Sequence, residues 1–497
     1  MRKLDIQELT IAQFHSALRE KTTTCVDLVR TYLSRIAQFD PELNSIICLN
    51  DEALQIAAVK DRETKHLIQT MAPFRPLHGV PIILKDNYMT KGLPTSAGVK
   101  ALRALQSANN SQVVSHLTSA GAIILAKANL HEFALHGTTT SSLGGQTLNP
   151  YDFQRTPGGS SGGTAAALAA NFGLVGCGTD TMNSLRSPAS ACGIVGFRPS
   201  TGKVPTQGIV PVSRTQDVAG PMGRTVNDVK IVYYAMRGIC DDVLPLPPVR
   251  NPRIGILDLY FGIGNPQSCS PGTIAENGVI QNITRGAISL IQKYTNIGFV
   301  AIKPDQSWEV DTLLETADTQ PYEFGSQLNE FLQAPFIASS PHTSLESIFE
   351  SGEYHKGAVT EVFTASRDNP RVFSPNSPEY HARLAAISKL KFSLERCFKE
   401  YDVDAFLYPH QRQLPVAIGA MRQPRRNGVL AALTGSPAIC LPAGFTEATQ
   451  SATLGVPVGI ELMGRRGRDA ELLELAEMIE KVLPHRKPPL LTIRKSL

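Results

Sequence analysis

No Cys-x-x-Cys pair occurs in this sequence, and its eight cysteines (Cys25, Cys48, Cys177, Cys192, Cys240, Cys269, Cys397 and Cys440) are scattered over 497 residues. That scatter argues against a disulfide framework and fits buried thiols in a reduced, cytoplasmic setting. The eleven histidines form no His-Glu-x-x-His, so zinc-hydrolase chemistry has no anchor, and neither a metal nor another cofactor is expected. No apolar run reaches the roughly 18 residues that a membrane-spanning helix needs, so no membrane partner is expected. The N-terminal MRKLDIQELT is charged and has no apolar core, against a signal peptide. A formal charge of +4 is small for this length and points to no nucleic-acid surface. Internal repeats and low-complexity tracts are also absent.

What is present is a hydrophobic content of 42%, which excludes a disordered chain. Val26, Val29, Leu33 and Ile36 recur at helical spacing behind Thr24, a suitable N-cap, and Ser16–Leu18 fits an earlier helix. Residues Ser45–Leu49 read as a short strand and Asp51–Lys65 as a helix. The apolar run Val80–Leu84 reads as a strand, with Pro81 suiting an edge or a strand's beginning, and stops abruptly at Lys85 and Asp86. Gln112–Ala120 reads as a helix, and Ala122–Leu125 as a strand ending at Lys127. This alternation predicts an α/β fold: a single large mixed β-sheet with helices on both faces.

From about residue 240 the style changes. The proline-rich Pro245–Pro252 reads as a connector, followed by helices with acidic faces such as Glu309–Thr316 and polar loops such as Asn369–Pro378. From Val429 apolar, glycine-rich segments return, at 433–445 and 455–465, and read as buried strands rejoining the sheet; Ala470–Leu483 reads as a final amphipathic helix. The expected organisation is an N-terminal helical region (1–70), a core (71–240), a helical and loop insertion shaping a pocket (241–427), and a return to the core (428–497).

The chain is organised around Pro157–Ser190, PGGSSGGTAAALAANFGLVGCGTDTMNSLRSPAS. Two serine-bearing turns, Ser160–Ser161 and Ser184, flank an alanine-rich helix former and the apolar run Leu174–Cys177. A glycine-rich turn leading into a helix aims several free N–H groups at one point, where negative charge can develop. Gly158–Gly162 satisfies the G-x-S-x-G elbow pattern, but that elbow needs a strand directly before the serine, and Asn149–Asp152 and Thr156–Pro157 are loop residues. The phosphate-loop likeness of Gly196–Lys203 fails on five intervening residues where four are required, and on Val204 in place of Ser or Thr. A lysine that closes an apolar strand, as Lys85 does, is commonly a snorkelling surface residue. As a neutral base it would need its pKa lowered from about 10.4 toward 7, roughly 4 kcal/mol of burial and neighbouring dipoles.

The set HGVPIILKDN (78–87), TPGGSSGGTAAALAA (156–170) and GTD-x-x-x-S-x-R-x-P-A-S (178–190) resembles the amidase signature family, strongly over about 78–228 and clearly over 429–465. NLHEFA from position 129, NPYD from 149 and GPMGRTVND from 220 fit the same resemblance. It implies that Lys85 is the catalytic lysine, Ser184 the nucleophile and Ser160 a bridging serine behind a cis peptide bond. The two serines stand 24 positions apart, as the family pattern requires. No histidine stands in the two serine-bearing motifs, so the implied chemistry is a Ser-cisSer-Lys relay: neutral Lys85 takes a proton from Ser160, Ser160 takes one from Ser184, and Ser184 attacks the amide carbonyl. The backbone N–H groups of Thr181, Met182, Asn183 and Ser184 are the implied oxyanion hole, and Ser161, Thr179, Asp180 and Arg186 supporting residues.

Met182 and Asn183 depart from the Gly-Gly that commonly precedes the nucleophile; asparagine tolerates a left-handed backbone, methionine poorly. The implied function is hydrolysis of a small-molecule carboxamide to acid and amine or ammonia through an acyl-enzyme, by a stand-alone protein for which a homodimer is an open expectation. Two alternatives stay open. One is the glutamine-hydrolysing subunit of a tRNA-dependent amidotransferase, although the Arg-Tyr-Asp-Gly-like stretch of that subgroup is absent between 300 and 430. The other is a catalytically impaired family member acting as a binding or scaffold protein.

Overall fold

Local signals set the helices. Thr10 and Thr24 each present a side-chain oxygen to a backbone N–H three residues on, capping Ile11–Arg19 and Cys25–Leu43, each cap worth about 1 kcal/mol. Asn44, in the left-handed region, ends the second of these helices. The computed structural model describes residues 4–240, 251–264, 266–303, 305–369, 371–484 and 486–491. The expected Pro245–Pro252 connector lies outside the described residues up to position 250.

The helices pack against one mixed sheet of eleven strands. In chain order these are β1 (Ile46–Leu49), β2 (Pro81–Lys85), β3 (Ile123–Ala128), β4 (Val175–Asp180), β5 (Val195–Arg198), β6 (Val218–Gly223), β7 (Arg253–Ile256), β8 (Gly298–Ala301), β9 (Ala405–Pro409), β10 (Ala438–Phe445) and β11 (Pro457–Gly464). Across the sheet the order is β1-β3-β2-β4-β6-β5-β10-β11-β9-β7-β8. Strands β3, β2 and β4 run parallel, while β6, β5, β10 and β11 alternate antiparallel. Pro81 opens β2, which lies inside the sheet and not at its edge. As the first residue of the strand, its missing N–H costs the ladder little.

The 241–427 block divides. Its short apolar runs RIGI, GFVA and AFLYP are β7, β8 and β9, which extend the sheet, while its helices Val310–Ala317, Gln320–Leu332 and Lys356–Asp368 stand over the pocket side. Runs of four or five residues between long helices give no alternation by which sequence could assign them to the core.

The alanine-rich segment forms the helix Gly162–Ala169, every residue of it buried, against β2 and β4. Small side chains are needed because backbone approaches backbone: a Cβ on Gly163 would stand 2.1 Å from the Asn129 carbonyl oxygen. Of the four glycines around the serine pair, only Gly158 takes a positive φ, +70°.

Candidate active site

Parallel pairing of β2 with β4 brings their C-terminal ends to the same edge of the sheet, where open α/β sheets present reactive groups. β2 ends on Lys85 and β4 on Thr179 and Asp180. The Lys85 ammonium donates to Ser160 Oγ and to Thr179 Oγ1, both at 2.7 Å. Lys85 is wholly buried, and loss of solvation pulls its pKa from 10.5 down to about 7, against the attraction of Asp180 and Asp217. No carboxylate touches it among the described residues; its partners are hydroxyls.

The Gly159–Ser160 peptide is cis. No strand precedes Ser160, so the elbow reading is excluded. The Ser160 carbonyl accepts from the His131 N–H at 3.0 Å. Ser161 joins the two turns: its N–H donates to the Ser184 carbonyl at 3.2 Å, and its hydroxyl donates to the Thr179 carbonyl at 3.2 Å. Among the described residues no hydrogen bond joins the Ser160 and Ser184 hydroxyls; the turns are linked through the Ser161 N–H and the Ser184 carbonyl. The His131 ring, bonded to Thr138, is kept well below the usual histidine range by burial and does not approach either serine hydroxyl within hydrogen-bond distance.

The turn 181–184 is clamped from outside. Thr181 Oγ1 donates to Asp217 at 2.6 Å, Arg186 Nη2 donates to the Met182 carbonyl at 2.6 Å, and Asn183 Oδ1 accepts from the Gly428 N–H at 3.0 Å. None of the backbone N–H groups of Thr181, Met182, Asn183 and Ser184 donates to another part of the described chain. Met182 and Asn183 are not in the left-handed region, so the Gly-Gly of the common pattern is replaced without that backbone penalty. Met182 belongs to one buried apolar cluster with Val310, Leu313 and Val429, and its sulfur accepts from Gln216. Thr181, Met182, Asn183 and Ser184 line a cavity of about 550 Å³, together with Val310, Leu314, Phe373, Val429 and residues 422–426.

Behind the turn lies a buried ionic network. Asp180 accepts from both Arg186 (3.1 Å) and Arg198 (3.0 Å), and the two guanidiniums hold its carboxyl well below the usual range despite burial. Arg186 also meets Glu461, which in turn accepts from Tyr408 at 2.9 Å and contacts His410 at 2.6 Å. Sequence reasoning singled out Asp180 and Arg186 but missed Arg198, Asp217, Tyr408, His410 and Glu461. The signal for two of them was there: Glu461 and Arg198 are charged residues inside otherwise apolar strands, and full burial of such a residue demands a partner.

The amidase family model matches residues 27–473. The chain belongs to the amidase signature family. As a family member it is an amidohydrolase, acting on carbon–nitrogen amide bonds. It is 30% identical to the mandelamide hydrolase of Pseudomonas putida, over 96% of this chain and 92% of that one. It is 29% identical to a glutamyl-tRNA(Gln) amidotransferase subunit of Chloroflexus aggregans, over 96% and 97% of the two chains. The peptide amidase of Stenotrophomonas maltophilia superposes with a TM-score of 0.80 at 27% identity, covering 98% of this amidase and 99% of the other. Among the described residues of this amidase no helix is long and apolar enough to cross a membrane, and no cluster of His, Cys, Asp and Glu fit to hold a metal ion occurs.

Proposed function

We propose that this amidase hydrolyses a small-molecule carboxamide through Ser184, with Ser160 and Lys85 as a proton relay. One observation carries the reading: Lys85 is fully buried and 2.7 Å from Ser160, and loss of solvation draws its pKa down to about 7, toward the neutral form that can accept a proton. The neutral amine draws the Ser160 proton as Ser160 takes that of Ser184, and Ser184 Oγ bonds to the amide carbon. The oxyanion then faces the unclaimed N–H groups of 181–184, each such donor being worth about 2.7–4 kcal/mol in the transition state. The proton returns through Ser160 to the leaving nitrogen, the C–N bond breaks, and water cleaves the resulting ester. The Asp180–Arg186–Glu461 network sets the turn in place and touches no reacting atom.

The likeness to an amidotransferase component supports a second reading, in which the same relay frees ammonia from glutamine inside a complex of several different chains. Incubating the purified chain alone with aliphatic, aryl and peptide amides, and with glutamine, separates them: acid and amine released from a simple amide supports the first. Turnover of glutamine alone, or only with the other chains of such a complex added, supports the second. A sulfonyl fluoride is expected to label Ser184, read by peptide mass spectrometry; an adduct on Ser160 or Ser161 instead would refute the assignment of the nucleophile.

A further inference from the structure

We propose that Arg426 forms a carboxylate-binding subsite in the cavity beside Ser184, so that the preferred substrate is an amide carrying a carboxylate a few carbons from the scissile carbonyl. This rests on the proposed hydrolytic use of that cavity and adds the chemical class of what enters it. Three observations place the guanidinium there. Arg426 lines the same cavity as Asn183 and Ser184. Its guanidinium lies against Gly137, where a Cβ would come within 2.5 Å of Nη1, and Gly137 in turn backs onto Gly159, where a Cβ would stand 2.9 Å from the Gly137 carbonyl carbon. It is thus separated from the turn that bears Ser160 by one glycine. Two residues further on, the Gly428 N–H holds Asn183. The charge therefore sits on the wall next to the nucleophile, not at a distant rim.

The guanidinium is also uncommitted. Among the described residues it forms no ion pair, although Arg412, Arg425 and Arg186 nearby all have side-chain partners. The carboxylate that attracts it, Asp180, is already taken by Arg186 and Arg198. Asp311 and Asp318 line the same cavity without pairing with it, and Asp318 accepts instead from Gln320. Arg422 adds positive charge to the same wall, and His136, which burial first and then both arginines keep well below its ordinary pKa, is a neutral ring at the same spot. Five N–H donors in a planar fork, partly desolvated and facing a cavity, match a carboxylate in a way that no neutral amide does. A charge-assisted pair of this kind corresponds to a preference of about tenfold or more.

The test uses the full chain and matched probes: the monoamides of propanedioic, butanedioic and pentanedioic acids against their uncharged diamides. The wild-type kcat/KM is expected to favour at least one monoamide over its diamide by about tenfold or more, after allowing for the diamide's two equivalent groups. In Arg426→Gln that ratio should fall toward one, and in Arg426→Lys, which keeps the charge but not the fork, it should lie between. Thermal melts confirm that each variant is folded. A wild-type ratio near or below one, or a ratio that Arg426→Gln leaves intact, overturns the subsite. If the wild type hydrolyses none of the six, the hydrolytic reading fails for these substrates, and calorimetric binding of the monoamides then tests the subsite alone. Binding weakened about tenfold by Arg426→Gln supports it; no binding, or equal binding by both proteins, overturns it.

Discussion

Two fully buried lysines close neighbouring parallel strands, and their surroundings could hardly differ more. Leu84 pairs with Lys127 across β2 and β3, and Lys85 with Ala128, so one step of the pleat sends the two side chains to opposite faces of the sheet. Lys127 meets the carboxylate of Asp86 at 2.9 Å and also donates to the Pro94 carbonyl and to Thr95. Among the described residues, Lys85 donates only to the hydroxyls of Ser160 and Thr179. Burial is the same in both; the counter-charge is not. A buried amine paired with a carboxylate ties structure together, whereas one among hydroxyls, with its pKa drawn down by burial, suits the role of base proposed for Lys85.

Removing each amine separates these roles. Lys85→Met is expected to lower kcat/KM by about six orders of magnitude, the usual cost of losing the base of a serine relay. Folding should survive it, as circular dichroism would show; turnover within tenfold of wild type would refute the relay. Lys127→Met should do the reverse, costing about 3–5 kcal/mol of stability because Asp86 is left buried without its ion-pair partner. Urea unfolding reads that loss, and Asp86→Asn added to Lys127→Met should recover part of it. A stable Lys127→Met would mean that the ion pair contributes little.

The same contrast predicts a stability gain in Lys85→Met. The folded pKa of about 7 lies below the ordinary 10.5, so the unfolded chain binds more protons between these values and stability rises with pH across that window. The penalty is full below about 7, on the order of a few kcal/mol, and vanishes as pH passes 10.5. Unfolding free energies should therefore favour Lys85→Met most near pH 6 and converge with wild type as the solution becomes alkaline. A difference that does not shrink with rising pH would show that burial of the charge is not its cause.

How far the sequence carried this picture depends on how local each feature is. The serines proposed as catalytic, the alanine-rich helix between them and Lys85 at a strand end all lie within stretches whose glycines, caps and apolar runs announce themselves. So do β10, β11 and the last helix, which begins at Asp469. The ionic network was not legible, because Arg186 and Glu461 are 275 positions apart and only the folded sheet brings them together. The three strands of the 241–427 block were missed for their brevity. Met182 was expected to strain a glycine-like turn; the backbone avoids the left-handed region, and composition alone gives no warning of that. Arg426 stood in an unremarked PRRN run, and what sets it apart is that no carboxylate among the described residues pairs with it, a property of the neighbourhood and not of the residue.

The smallest expected effect concerns how Lys85 is tuned. Thr179 Oγ1 receives two N–H donors, from Lys85 at 2.7 Å and from the Asn87 amide at 3.0 Å, so it presents its oxygen to the amine and stabilises the charged form. A hydrogen bond to the protonated state raises a pKa, and removing it lowers one. With the neutral amine as the proposed base, activity should rise with pH through about 7 in the wild type and reach a plateau above. Thr179→Val keeps the shape of the side chain and deletes the acceptor, so the rising limb of kcat/KM should move to lower pH by roughly one unit or less. Movement to higher pH would mean that the threonine instead donates its own proton to a neutral amine. Lys85 would then be held neutral by its neighbour as well as by burial, and the difference between the two lysines would lie in the direction of one hydroxyl as much as in the missing carboxylate.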